Sequence, residues 1–151
     1  MSKPITFAIC GCGSRGLDAY AVYQKNHPDR MQIVAGADCR PGRLALLREE
    51  YGVPEDKCFA SDDELLSQPR LADVMLIATQ DRQHVPAALR ALGKGYHILL
   101  EKPISPDLGE CRRLLEKARE TGKTVVVCHV LRYTPFYAAL EALDRRGEIG
   151  R

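Results

Sequence analysis

Three closely spaced glycines restrict the fold of this chain more than any other feature of its sequence. They lie in Gly11-Cys12-Gly13-Ser14-Arg15-Gly16, directly after the apolar segment Ile5-Thr6-Phe7-Ala8-Ile9-Cys10. A short apolar run of this kind is typical of a strand buried on both faces, and residues 14–24 then carry a helical pattern. Glycine permits a tight turn and a close approach of helix to strand, so the pattern predicts a strand–turn–helix unit.

The rest of the chain continues this alternation. Further strands are predicted at 31–37, 58–59, 74–78, 96–100 and 123–128, and the helices between them begin near Pro41, Ser61, Pro86, Ser105-Pro106 and Thr134-Pro135. Strands that alternate with crossover helices indicate an α/β fold, a Rossmann doubly wound parallel sheet in three layers. We predict one dinucleotide-binding domain over residues 1–151, with the start of a following domain from about residue 148.

Composition excludes several classes of protein. Hydrophobic residues make up 45% and charged residues 28% of the chain, as in a globular domain. The apolar runs are too short to cross a membrane, and a net charge of +2 predicts no nucleic-acid partner. The N-terminus lacks the pattern of a secretory signal, which predicts a cytoplasmic protein. Cys10-x-Cys12 lacks metal-ligand spacing, so no metal site is expected.

An acidic residue at the end of the second strand strengthens the glycine pattern. Asp38 follows the segment 31–37, where a dinucleotide-binding fold places a carboxylate that accepts hydrogen bonds from the adenosine ribose. The N-terminus of the first helix offers free N–H groups and partial positive charge to a pyrophosphate. Arg15 either reaches that pyrophosphate or lies on the helix surface. The predicted loop contacts are Gly11, Cys12, Gly13, Ser14, Arg15 and Gly16.

The choice between NAD and NADP depends on three residues. Asp38 favours NAD, because a carboxylate repels the additional phosphate of NADP. Arg40 and Arg43 oppose this, since a guanidinium there can hold that phosphate or stack on adenine. In the alternative interpretation both arginines are solvated charges at the start of a helix. NAD is therefore the predicted cofactor, and NADP is not excluded.

A lysine at the end of the fifth strand is the candidate catalytic residue. Glu101-Lys102-Pro103 follows the predicted strand 96–100, and ligands of open α/β sheets bind at such strand ends. The Lys102 ammonium can orient a substrate hydroxyl or exchange a proton with it. A lone lysine is otherwise an ordinary surface residue.

The segments 78–84 and 93–103 resemble the Gfo/Idh/MocA family, that of glucose–fructose oxidoreductase and inositol dehydrogenase. The shared features are the G-x-G-x-x-G loop, the acidic second-strand end, a histidine that opens the fourth helix (His84) and the triplet Glu101-Lys102-Pro103. The segments 128–136 and 147–150 are also similar to the family. One departure is Thr79-Gln80-Asp81, where many members have Thr-Pro or Thr-Asn.

The resemblance implies roles for particular residues. Lys102 would contact both the substrate and the nicotinamide ribose, with Glu101 close to the nicotinamide. The backbone of Ala78, Thr79 and Gln80 would line the dinucleotide. His84 would lie near the nicotinamide, or else cap its helix, and Arg132 would lie at the edge of the site or serve a structural role.

The resemblance also implies an activity: hydride transfer between a nicotinamide cofactor and a sugar- or cyclitol-like alcohol. Family members continue into a second α/β domain that supplies the substrate pocket, much of a homo-oligomer interface and usually a catalytic histidine. We therefore expect the present chain alone to bind dinucleotide and to turn over poorly. The alternatives are a non-catalytic dinucleotide-binding module and a family member that oxidises its substrate transiently to cleave a glycoside.

Overall fold

A computed structural model describes residues 3–150 and contains one six-stranded sheet with the order β3-β2-β1-β4-β5-β6. Every neighbouring pair of strands is parallel. The strands are β1 (Ile5–Cys10), β2 (Met31–Ala37), β3 (Cys58–Phe59), β4 (Val74–Ile77), β5 (His97–Leu100) and β6 (Val125–Val127). This order confirms the predicted doubly wound Rossmann sheet.

The helices follow the predicted alternation. The first, α1, begins with π-helical turns over Ser14–Ala21 and continues as an α-helix over Val22–Asn26. The others are α2 (Pro41–Tyr51), α3 (Asp62–Ser67), α4 (His84–Gly93), α5 (Leu108–Thr121) and α6 (Pro135–Arg145). Short 3-10 turns cover Glu55–Lys57, Asp81–Gln83 and Val130–Tyr133.

The predicted start of α5 at Ser105-Pro106 is wrong. The helix begins at Leu108, because the Asp107 carboxylate accepts a hydrogen bond from the Glu110 N–H at 2.7 Å and so caps the first turn. The Ser105 hydroxyl instead accepts the Asp107 N–H at 3.0 Å, in the loop before the helix. Two residues with good capping propensity stand close together here, and the second of them forms the cap.

The helices cover the sheet on two faces and bury a core on each. On one face α1 and α2 pack against the sheet, with Leu17 and Leu47 fully buried beside Ile9 of β1. On the other face α3, α4 and α5 bury a second cluster around Leu65 and Met75. The three layers explain why β4 is apolar on both faces.

The strand register brings the functional segments to one edge of the sheet. Cys10 of β1 pairs with Ala37 of β2 and with Ile77 of β4, and Ile77 pairs with Leu100 of β5. These strands therefore end level with one another, and the glycine loop, Asp38, Ala78 and Glu101 follow them in one row. The strand order reverses between β1 and β4, and such a switch point is where ligands bind in this class of sheet.

Candidate functional site

A groove of about 770 Å³ lies at the switch point, above the carboxyl ends of β1, β2 and β4. Most of the predicted contact residues line it: Gly11, Gly13, Ser14, Arg15, Asp38, Arg40, Ala78, Thr79 and Gln80. The remaining lining residues were not predicted and are Ala37, Cys39, Ala60, Ser61, Asp62 and Gln83. Three of these, Ala60, Ser61 and Asp62, follow β3, whose end lies beside the end of β2. The pairing of β3 with β2 is the signal from which their place in the groove could have been predicted.

The three glycines of the loop differ in what surrounds them. Gly11 has a φ of +91°, and a Cβ atom there would lie 2.6 Å from the carbonyl oxygen of Ala78. A Cβ atom on Gly16 would overlap the carbonyl oxygen of Gly11. At Gly13 the nearest atom is a terminal nitrogen of Arg40, at 3.3 Å. The loop is thus closed against the protein at Gly11 and Gly16 and open toward the groove at Gly13.

The start of α1 supplies hydrogen-bond donors to this groove. Gly13 precedes the first turn, and Ser14 and Arg15 line the groove. The first N–H groups of a helix have no partner within the helix, and the helix dipole gives them a partial positive charge. An anionic group in the groove would be stabilised here.

Cys12, a predicted loop contact, is not among the residues that line the groove. The side chain is fully buried, and burial raises the pKa of the thiol to about 12. The Cys12 carbonyl accepts a hydrogen bond from Arg43 Nε, and Arg43 also donates to Asp18 at 3.1 Å. Arg43 therefore braces the glycine loop and is not a free charge at the start of α2.

Asp38 is 8% exposed and is paired with Arg40. The Arg40 N–H and Nε donate to Oδ1 at 2.9 and 3.0 Å, and a terminal nitrogen donates to Oδ2 at 3.1 Å. Burial raises the pKa of Asp38, but the hydrogen bonds from Arg40 outweigh it and the net shift is downward. The carboxylate therefore stays ionised and available to accept hydrogen bonds from a ligand.

Thr79 carries a buried hydroxyl without a partner. Among the buried side-chain oxygen and nitrogen atoms of residues 3–150, Thr79 Oγ1 is the one without a hydrogen-bond partner. Buried polar atoms are nearly always paired, so an unpaired hydroxyl on the wall of a groove fits a site that a ligand completes. The residues present thus match what a dinucleotide needs: an open glycine, free helix donors, a ribose acceptor and an unpaired hydroxyl.

His84 braces two loops from inside the protein. The residue is 1% exposed, with Nδ1 at 2.7 Å from the carbonyl oxygen of Pro103 and Nε2 at 3.2 Å from that of Thr79. It therefore links the loop after β4 to the loop that carries Lys102. Arg132 is exposed on the turn Val130–Tyr133, and it is not among the residues that line the groove in the described part of the chain.

Glu101 is held by a cluster that the sequence did not reveal. Its Oε1 accepts hydrogen bonds from Arg15 Nε at 2.7 Å and from the Tyr20 hydroxyl at 2.5 Å. Its Oε2 accepts the backbone N–H of Lys102 at 3.0 Å, and the Lys102 side chain is exposed. The available signal was Tyr20. It lies three residues after the buried Leu17 and therefore on the same face of the helix, and a tyrosine on a buried face usually has a hydrogen-bond partner for its hydroxyl.

The Glu101 cluster predicts a dependence of stability on pH. Burial raises the pKa of Glu101, but hydrogen bonds from Tyr20 and Arg15 bring the net pKa below its ordinary value of 4.5. A lowered folded-state pKa stabilises the protein above pH 4.5, and this contribution disappears as the pH falls through the lowered value. The Tm of the wild type should therefore fall between pH 6 and pH 3 by more than the Tm of Glu101→Gln falls. The expected difference between the two falls is about 2–4 °C. Scanning calorimetry at both pH values measures the difference, and equal falls in Tm would contradict it.

No group of three or more His, Cys, Asp or Glu side chains within residues 3–150 is arranged to hold a metal ion. In the same range, no helix has the length and apolar character needed to cross a bilayer.

The glycine loop, the carboxylate of Asp38 at the end of β2 and the strand order define a Rossmann domain of the dinucleotide-binding class. The model of the Gfo/Idh/MocA oxidoreductase family, NAD-binding Rossmann fold, matches residues 5–129. The chain belongs to this family, and it is an NAD-binding domain of an oxidoreductase. Both the family resemblance and the cofactor predicted from the sequence are confirmed.

Individual relatives agree with this assignment. The chain is 34% identical over 146 residues to trans-1,2-dihydrobenzene-1,2-diol dehydrogenase of Mus musculus, covering 97% of the chain and 43% of that protein. It is 29% identical to inositol 2-dehydrogenase 1 of Paenarthrobacter aurescens, covering 99% of the chain and 44% of that protein. The chain thus spans less than half the length of these curated relatives.

The fold also matches solved structures. The WlbA dehydrogenase from Chromobacterium violaceum, solved with NADH and UDP-GlcNAcA, superimposes with a TM-score of 0.84 at 22% identity. The match covers 100% of the present chain and 42% of that chain. At this identity the comparison supports the fold.

Proposed function

We propose that the whole protein is a dehydrogenase that transfers hydride between NAD and a cyclic polyol. The observation that carries the proposal is Lys102, whose exposed side chain follows β5 directly and whose backbone is fixed by the buried Glu101. The relatives named above act on a dihydrobenzene diol and on inositol, which are both six-membered carbocycles with neighbouring hydroxyl groups. We propose the same substrate class here.

The cofactor would be held by the residues that line the groove. The free N–H groups at the start of α1 would bind the pyrophosphate, and the open position at Gly13 would let it approach the backbone. Asp38 would accept hydrogen bonds from the adenosine ribose. The Thr79 hydroxyl and the backbone of Ala78 and Gln80 would contact the part of the dinucleotide that lies above β4.

The chemistry divides between cofactor and protein. When bound, the nicotinamide ring supplies the hydride acceptor or donor. The protein orients the alcohol and manages its proton. The Lys102 ammonium would donate a hydrogen bond to the reacting oxygen, hold it in place and stabilise the negative charge that develops on it. A base from the second domain, usually a histidine in this family, would accept or return the hydroxyl proton. His84 would act indirectly, because it holds the loop of Thr79 and the loop of Pro103 at a fixed position relative to each other.

The proposal extends to the setting of the protein, which we place in the cytoplasm as a homo-oligomer. Cys10 and Cys12 are packed as apolar core groups, as is usual for thiols in a reducing compartment. The side chains of Tyr133 and Phe136 are 86% and 66% exposed, and they are candidates for a contact surface. Size-exclusion chromatography with light scattering measures the oligomeric state.

Catalysis is tested with myo-inositol as the probe substrate. The proposal predicts that NADH accumulates in step with oxidation of the polyol. NADH that stays constant while an aryl glycoside is cleaved would favour the transient-oxidation alternative. Tight binding of NAD without turnover of any inositol or aldose would favour a binding module.

Replacement of Asp38 tests the cofactor assignment. Asp38→Ala should weaken NAD binding by about tenfold or more, since hydrogen bonds to a charged group contribute about 1.5–3 kcal/mol. The variant also frees Arg40 from its carboxylate partner, so NADP should lose less affinity than NAD. Titration calorimetry with both dinucleotides measures the two changes. Asp56→Ala is the matched control, because Asp56 is an exposed aspartate in the turn Glu55–Lys57. Equal NAD affinity in Asp38→Ala and wild type would remove Asp38 from the site.

A further inference from the structure

The Glu101 cluster connects the glycine loop to the candidate catalytic lysine. It consists of Arg15, Tyr20 and Glu101, together with the backbone N–H of Lys102. Arg15 belongs to the glycine loop, and Tyr20 lies further along α1. Glu101 is the last residue before Lys102. One buried carboxylate, 4% exposed, therefore joins the element that faces the pyrophosphate to the backbone that carries Lys102.

The two oxygens of the Glu101 carboxylate accept hydrogen bonds from different elements. Oε1 takes the bonds from α1, and Oε2 takes the bond from Lys102, so the carboxyl group bridges two elements that are far apart in sequence. Arg15 also donates to the Tyr20 hydroxyl at 2.9 Å, and its guanidinium lies 5.1 Å from the centre of the Tyr20 ring. Charge-assisted hydrogen bonds that share one buried carboxylate hold their members more rigidly than isolated surface pairs do.

The charges of the cluster agree with this arrangement at neutral pH. The pKa of Glu101 is lowered, as described above. Burial raises the pKa of the Tyr20 hydroxyl, and its contacts with Cys128 and Glu101 raise it further. The hydrogen bond with Glu101 raises the pKa of Arg15. Tyr20 is thus a neutral donor and Arg15 a cationic donor, and both face an anionic acceptor.

We propose that Tyr20 is a positioning residue that acts through Glu101 to fix Lys102 relative to the glycine loop. The inference rests on the proposed function, because it assumes that Lys102 meets the nicotinamide end of the cofactor. Tyr20 itself is absent from the lining of the groove. Arg15 lines the groove, and it keeps its bond to Glu101 Oε1 when the Tyr20 hydroxyl is removed. Loss of the hydroxyl should therefore affect the nicotinamide end and leave the adenosine and pyrophosphate contacts unchanged.

A comparison of two ligands detects this difference. NADH carries the nicotinamide ring and its ribose and ADP lacks both, while both ligands carry the adenosine and the pyrophosphate. Tyr20→Phe keeps the ring beside Arg15 and removes only the hydroxyl. The variant should bind NADH about three- to tenfold more weakly, the loss expected from one displaced hydrogen bond, and should bind ADP within about twofold of wild type. Tyr23→Phe is the matched control, since Tyr23 lies on the same helix and stacks on His27.

Lys102→Met separates a failure of this inference from a failure of the proposed function. Lys102→Met alone should also weaken NADH relative to ADP, and adding Tyr20→Phe to it should cause little further change, because both act on one contact. If Lys102→Met leaves the ratio of the two affinities unchanged, the proposed place of Lys102 is wrong. Suppose instead that Lys102→Met changes the ratio. The positioning role of Tyr20 is then overturned if Tyr20→Phe leaves both affinities as in wild type, or if Tyr20→Phe weakens the binding of both ligands equally.

Discussion

Replacement of Lys102 by methionine is expected to lower kcat for polyol oxidation by about 10²–10³-fold, the usual cost of removing one donor that stabilises a developing oxyanion. Methionine keeps the length and apolar stem of lysine but removes the ammonium. The backbone N–H of residue 102 still binds Glu101, so the loop should keep its shape. The folded structure should be unaffected, because the lysine side chain is exposed.

Steady-state kinetics of the whole protein, followed by NADH formation, measures this loss. Lys117→Met is the control, since Lys117 lies on α5 and pairs with Glu120 of the same helix, away from the groove. The control should keep its turnover. A Lys102→Met enzyme that retains the kcat of wild type would show that Lys102 does not stabilise the reacting oxygen.

Replacement of Gly13 by valine should abolish NAD binding without unfolding the protein. Gly13 has no positive φ, and a side chain there meets only the movable end of Arg40 before it enters the groove. The side chain would occupy the space that the pyrophosphate needs, so the charge-assisted bonds to the start of α1 would be lost. Two such bonds correspond to a loss of affinity of about 100-fold or more.

Two further glycine variants serve as controls for Gly13→Val. Gly42→Val places the same side chain in open space on α2 and should leave NAD affinity unchanged. Gly11→Val should lower the Tm strongly, because its φ of +91° and the nearby Ala78 carbonyl leave no room for a side chain. Calorimetric titration and thermal unfolding of all three proteins measure these effects. NAD affinity in Gly13→Val within about threefold of wild type, a difference of about 0.6 kcal/mol, would contradict the placement of the pyrophosphate.

The fold could be predicted from the sequence because its signals are local. Apolar runs of strand length, prolines in the first turns of α2 and α6, and glycines after α2 and α5 fix the elements almost residue by residue. The error at the start of α5 arose where two capping residues compete within three positions. Sequence spacing alone does not decide such a competition, because it depends on which side chain reaches the free N–H groups.

The candidate site was predicted only in part, for a related reason. The glycine loop and Asp38 follow from the position of strands and turns, which the sequence encodes locally. The partners of Arg15, Arg40 and Arg43 do not, since each guanidinium is placed by tertiary packing. Arg15 lies 86 residues from Glu101 along the chain, and nothing in either segment indicates the other. His84 likewise reaches Pro103 through the packing of α4 against the sheet.

The pairing of Asp38 with Arg40 changes the interpretation of cofactor choice. An unpaired carboxylate would reject the additional phosphate of NADP by charge. Here the carboxylate is matched by a guanidinium that is 61% exposed beside the groove. If NAD binds as proposed, preference for it over NADP would rest on hydrogen bonds from the ribose hydroxyls to Asp38, and less on repulsion of the phosphate.

The central claim is that a dinucleotide pyrophosphate binds at the start of α1. Titration of isotope-labelled protein with NAD, followed by amide NMR, tests this claim directly. The account predicts saturable shifts of the Gly13, Ser14 and Arg15 amides, together with shifts at Asp38 and Thr79. Amides of the glycine loop that stay unchanged at saturating NAD and NADP, or shifts confined to another part of the domain, would contradict it.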